Sequence, residues 1–155
     1  MTVLDSIAIV AFTNFIPTAE QLGAIPLGLA LGLDPLTVLL VSVIVNTFLF
    51  VPTYVILHLF YKGVLSKIKF IRNYLQKVQT KGKPYIDRYG ILGVTAFIAL
   101  PTPFTGTYTG SILCWAMNLD WKRALLAIFL GSFIGGIIIV LGVLGIVNLY
   151  YFLAR

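Results

Sequence analysis

Charge is what this sequence has least of. Among 155 residues only 10% are Asp, Glu, Lys or Arg against 59% hydrophobic, and mean hydropathy reaches +1.01. A soluble domain of this length could not cover its surface with so few polar groups. That class is excluded, leaving a single integral membrane domain, residues 1–155, with lipid as its solvent. A single cysteine, Cys114, excludes an internal disulfide and a cysteine-rich metal site. The lone histidine, His58, near the end of an apolar segment, fits an interfacial residue better than a ligand. Also missing are a nucleophile paired with a base, a P-loop and a nucleotide fingerprint, so no enzyme activity, no cofactor, no metal and no ATP-driven step is expected. The opening "MTVLDSIAIV" lacks a basic leader and carries Asp5, so it reads as structure and not as a cleaved signal.

Long apolar runs, by contrast, are plentiful. Leu36 to Phe60 and Ala124 to Ala154 are uncharged, and the first alone reaches about 37 Å as a helix, enough to span a bilayer. Two other stretches are too short to span comfortably: Val3 to Ile16, about 21 Å, and Tyr89 to Leu100, about 18 Å. Each ends at proline, and each is followed by a polar break and a second short apolar piece, Leu22 to Leu33 and Tyr108 to Leu119. The pattern predicts two re-entrant helical hairpins, each entering to mid-depth and returning to its own side. The rival is one kinked crossing per pair.

Charge favours the hairpins. Eight of the eleven Lys and Arg lie between Lys62 and Arg88, which makes that loop cytoplasmic. A hairpin over 89–119 returns Lys122 and Arg123 to the same side, and Asp5 and Asp34 flank the first hairpin outside. Arg155 alone runs against this scheme. Offsetting the chain by 86 residues aligns "LALGLDP" (Leu29 to Pro35) with "WAMNLDW" (Trp115 to Trp121) and sets Asn46 opposite Ser132. The expected fold is therefore all-α: two inverted repeats, 3–60 and 89–154, each a re-entrant hairpin plus a transmembrane helix. Interrupted helices meeting near the midplane are a transporter architecture, because unwound backbone survives in lipid only where it lines a cavity or packs inside protein.

The breaks hold the candidate site. "PTPFTGTYTG" (Pro101 to Gly110) stops a half-helix with two prolines and offers Thr102, Thr105, Thr107 and Thr109 hydroxyls to the exposed backbone. Those threonines either satisfy backbone only or accompany an open half-helix N-terminus whose N–H groups meet an anionic head group. Glu20 is the sharpest residue: the only acid well inside an apolar segment, with no Lys or Arg in either hairpin to neutralise it. It faces a wet cavity or is protonated for part of a cycle, as a relay for protons or ions, or else a shallow hairpin leaves it at the interface as a half-helix cap. With Asn46, these make up the candidate substrate and proton site.

The basic linker 61–88 carries Val64, Leu65, Ile68, Ile71, Leu75 and Val78 at helical spacing, with Lys67, Lys69, Arg72, Lys77 and Lys81 around them. It is expected to be an amphipathic helix on the anionic inner leaflet, either as a topology anchor or as a recruiter of lipid head groups. This confinement of charge explains a net +6 without a nucleic-acid partner. Gly131 and Gly135 form G-x-x-x-G, which permits close helix approach within one chain or across a homodimer.

"EQLGAIPLG" followed by "PTPFTGTYTG", with Asn46 in the first long helix, resembles the prokaryotic small multidrug export protein family over nearly the whole chain. That family's pattern runs Glu-Leu-Arg-Gly-Ala-Ile-Pro and later Pro-x-Pro-Gly-Thr-Gly-x-Trp-Thr-Gly. The resemblance marks Glu20, Gly23, Ala24, Ile25, Pro26, Pro101, Pro103, Thr105, Gly106, Thr109 and Gly110 as functional positions. Leu22, Phe104 and Tyr108 depart from it, replacing an arginine, a glycine and a tryptophan. The family is similar in hairpin layout to the DedA/VTT superfamily. What the resemblance implies is a multi-pass protein of the prokaryotic plasma membrane that moves lipids, polyprenyl phosphates included, or exports cationic drugs; a non-transporting structural or assembly role is the third expectation.

Overall fold

The computed structural model describes residues 2–61, 67–69, 72, 73, 76, 80, 88–102 and 105–153. Among them are six principal helices and no strand: α1 Val3–Asn14, α2 Glu20–Ala30, α3 Pro35–Phe60, α4 Ile91–Ala99, α5 Thr107–Ala116 and α6 Trp121–Leu153. Two of them, α3 and α6, are long and apolar enough to cross a membrane. The linker helix expected over 61–88, with Lys77 in it, lies mostly outside the described residues; Lys67, Lys69 and Arg72 are exposed.

Local chemistry sets the helix boundaries. Thr2 and Asp5 form a capping box that starts α1, with the Thr2 N–H donating to Asp5 Oδ2 at 2.7 Å and the Asp5 N–H to Thr2 Oγ1 at 3.2 Å. Pro17 follows the end of α1, and Pro101 that of α4, where Leu100 is already extended as the residue before a proline prefers. Asp34 caps α3 by accepting from the Thr37 N–H at 2.9 Å, ahead of Pro35 in the first turn. Pro26 behaves differently from Pro17. It sits inside α2, so the first hairpin has one break, and Gly23 and Pro26 belong to a continuous helix.

The turns that end α2 and α5 match at an offset of 86. Leu33 N–H donates to Gly28 O at 3.1 Å and Leu119 N–H to Cys114 O at 3.0 Å; Gly32 N–H to Leu29 O and Asn118 N–H to Trp115 O repeat the correspondence. The left-handed residue of each turn is Gly32, φ +82, and Asn118, φ +52. Both are residue types that tolerate this conformation.

Packing follows the same correspondence. α1 and α2 run antiparallel, since Gly23 backs onto Thr13 and Gly28 onto Val10. The long helices also run antiparallel: Leu39 meets Gly136, and the later Phe50 packs on the earlier Trp121 with ring centroids 4.9 Å apart. The second helix of each hairpin packs against the other half's long helix, α2 on α6 and α5 on α3. In lipid, apolar area between helices drives little association, so close approach and interhelical hydrogen bonds must hold the bundle. Gly131 and Gly135 accordingly sit against Ile98 and the Ala99 backbone of α4, which commits that G-x-x-x-G pair to packing inside the chain. Asn14 Nδ2 donates to Ser42 Oγ at 3.2 Å between α1 and α3. Two apolar clusters result, one around Val10, Ile25, Val38 and Ile139, the other around Phe50, Val94, Leu113 and Ile128. Asn46 and Ser132 fall between them on the two long helices.

Candidate functional site

The two breaks interlock. Gly106 precedes α5 with no side chain to offer as a cap, and the cap comes instead from the other hairpin. Glu20 Oε2 accepts from the Thr107 N–H at 2.6 Å, and Oε1 from the Tyr108 N–H at 3.5 Å. Tyr108 returns the contact, its hydroxyl donating to Phe15 O at 2.8 Å, just past the end of α1. A carboxylate on free amides at a helix N-terminus is favoured both by charge-assisted hydrogen bonds and by the helix dipole.

Glu20 holds this position at a backbone cost. Its φ is +37, a left-handed value seldom adopted by a side chain of this kind. Such outliers persist only where the surroundings over-determine them and cluster at functional sites. Here the Glu20 N–H bond to Ile16 O at 3.0 Å and the carboxylate bond to Thr107 fix both ends of the residue.

Between the breaks lies a cavity of about 30 Å³, room for one or two waters. Glu20, Gln21, Leu22, Asn46, Ile98, Leu100, Pro101, Gly106, Thr107 and Ser132 are in its wall. Three pairs in this wall are related by the 86-residue offset: Glu20 with Gly106, Gln21 with Thr107, and Asn46 with Ser132. Glu20 is 7% exposed, Asn46 1% and Ser132 0%. Asn46 Oδ1 and Ser132 Oγ have no hydrogen-bond partner. Gln21 Nε2 donates to the Ser132 carbonyl at 3.0 Å and ties α2 to α6 beside the cavity.

Of the residues expected from sequence, the cavity gathers Glu20, Asn46, Pro101 and Gly106. Pro103 lies outside the described residues. Gly110 serves packing, since a Cβ there would press on Ile98 and Ile128, and Gly23 serves the approach of α2 to its preceding turn and α1. Thr105 satisfies backbone, donating to Leu100 O at 2.5 Å, with Thr102 Oγ1 at 2.9 Å. Gly23, Pro26, Thr105, Thr109 and Gly110 are not among the lining residues. The half-helix end expected to be open is capped, because a carboxylate buried without a cation takes the nearest free donors. Glu20 both lines the cavity and caps a short helix, and that helix, α5, belongs to the other pair. Gln21 was missed; a polar residue beside the acid in an otherwise apolar helix was its signal.

Among the described residues no basic one lines the cavity or pairs with Glu20. His58, exposed on α3, stacks on Tyr54 with ring centroids 6.4 Å apart, away from the cavity wall.

A family model described as "Putative small multi-drug export protein" matches residues 20–138, from the strained glutamate to the middle of α6. An uncharacterized protein of Methanocaldococcus jannaschii is 29% identical over 110 residues, covering 69% of this chain and 62% of that protein. The chain therefore spans less than two thirds of the length of this curated relative. No solved structure matches it.

Proposed function

Because this chain belongs to the small multi-drug export protein family, we propose that it is a membrane carrier, not an enzyme, moving an amphiphilic substrate with an anionic head group, such as a lipid, between leaflets. One observation carries the reading: the carboxylate of Glu20, at φ +37, occupies the amide end of α5 that an anionic head group would use. A substrate anion reaching those amides must displace Glu20. A carboxylate released into a low-dielectric cavity is stabilised by taking up a proton, which would couple the two movements.

The inverted-repeat architecture with re-entrant hairpins is part of this proposal. It is supported by the matched turns at Gly32 and Asn118 and by the antiparallel run of α3 and α6. We read the protein as multi-pass in the prokaryotic plasma membrane, with linker 61–88 on the cytoplasmic face. Its Lys67, Lys69, Arg72 and Lys77 would meet anionic lipid there. A homodimer is part of the same reading, because the six principal helices of the described residues, four of them short, leave little room for an enclosed path in one chain.

A second reading, export of cationic drugs, is favoured by the family's description and by a glutamate without a basic partner among the described residues. Leu22 lines the cavity where the family resemblance has an arginine, so a Glu–Arg pair is not available at that position. A structural or assembly role is the third. The deciding experiment is leaflet exchange of fluorescent lipids, a polyprenyl phosphate analogue among them, in proteoliposomes with and without a pH gradient. Exchange above protein-free vesicles, changed in its pH dependence by Glu20→Gln, supports the lipid reading. Absence of exchange by folded protein, with drug uptake that Glu20→Gln stops, supports the second.

A further inference from the structure

We propose that the cavity between the two breaks binds one sodium-sized monovalent cation, held by Glu20, Asn46 and Ser132. As the coupling ion of a carrier it rests on the transport reading; as a binding site it does not.

The donor chemistry is specific. Asn46 Oδ1 and Ser132 Oγ lack partners although both residues are at least nine-tenths buried, and both are in the cavity wall. Buried oxygens without partners call for an ion or ordered water. The two residues sit 86 positions apart on antiparallel helices and line the same cavity. Glu20 adds a formal negative charge, and among the described residues no Lys, Arg or His in the wall offsets it.

Hard oxygens alone select a hard cation, and a single carboxylate matches a single positive charge better than a divalent ion, which gathers several. The positive end of α5 is already occupied by the Glu20 carboxylate. The opposite pole comes from α4, whose C-terminal end presents Ile98 and Leu100 to the same cavity. Half-helix C-termini carry partial negative charge and coordinate small cations where helices are interrupted in membranes. A volume of about 30 Å³ suits one such ion with at most one water.

The test is equilibrium binding by the purified chain in detergent at fixed pH and ionic strength. Radioactive sodium should bind saturably, and replacing choline with about 100 mM sodium should raise Tm by about 3–6 °C for a Kd of about 10 mM, with potassium giving less. Ser132→Ala, which removes one oxygen from a well-packed site, should lose most of the sodium-specific shift while still folding in choline. Equal melting in the three salts with no saturable binding by the unaltered protein overturns the site, and so does binding undiminished in Ser132→Ala. Sodium binding without lipid or drug movement would leave the site standing and remove the carrier reading. Transport without sodium binding would do the reverse.

Discussion

At Glu20 a strained backbone and a useful side chain are found in the same residue, and substitution can separate them. Glu20→Ala loses the cap on α5 and keeps φ +37, whereas Glu20→Gly loses the cap and relieves the backbone. The glycine variant should therefore be the more stable of the two by about 1 kcal/mol, read by reversible unfolding in mixed micelles. Equal stability would mean that the left-handed value costs nothing. Gly106 and Gly28 make a second contrast. A Cβ at Gly106 would run into the Glu20 carboxylate, so Gly106→Ala should break the interlock and abolish exchange in protein that is still folded. At Gly28 a Cβ would lie 2.7 Å from Val10 Cγ2 and 2.9 Å from Val38 Cγ2. Gly28→Ala should cost about 1–3 kcal/mol of stability while activity per folded molecule persists.

The matched turns allow predictions about elements. Gly32 at φ +82 has nothing within 4 Å of where a Cβ would stand, so Gly32→Ala meets only the backbone penalty, about 1 kcal/mol. Asn118→Gly, at the equivalent place, should be neutral or slightly stabilising, because glycine adopts the same conformation freely. The cap on α3 is sensitive to acid. Hydrogen bonds from the Thr37 side chain and amide hold the Asp34 carboxyl below the ordinary aspartate range. A carboxyl depressed in the folded state stabilises above its unfolded pKa, and that share is lost as pH falls through about 4 towards the lower folded value. Melting curves should show an acid decline below about pH 4 that Asp34→Ala diminishes; an unchanged decline would assign it to other groups. Pro17, Pro101 and the apolar lengths made most helix boundaries legible. Pro26, unlike these, marks no boundary: α2 accommodates it, since packing of the flanking Ala24, Ile25 and Gly28 holds the helix across a missing hydrogen bond.

For the whole molecule, antiparallel α3 and α6 predict that their N-termini open on opposite faces of the membrane. Single cysteines near Asp34 and near Lys122, in a Cys114→Ala background that keeps the buried site apolar, should label from opposite sides with an impermeant maleimide. Labelling from one side would remove the inverted arrangement.

The sequence by itself determined the apolar solvent-facing character, the number and length of apolar segments, the two breaks and the solitary acid beside them. Each of these follows from composition, proline chemistry or the rise of a helix, which act locally along the chain. Only the tertiary structure decided that Glu20 caps the hairpin 87 residues away, that Gln21 ties α2 to Ser132, and that the Gly131–Gly135 pair packs within the chain. Those contacts depend on which helix faces lie together. In lipid, where apolar area gives little preference, small residues and a few buried polar atoms make that choice.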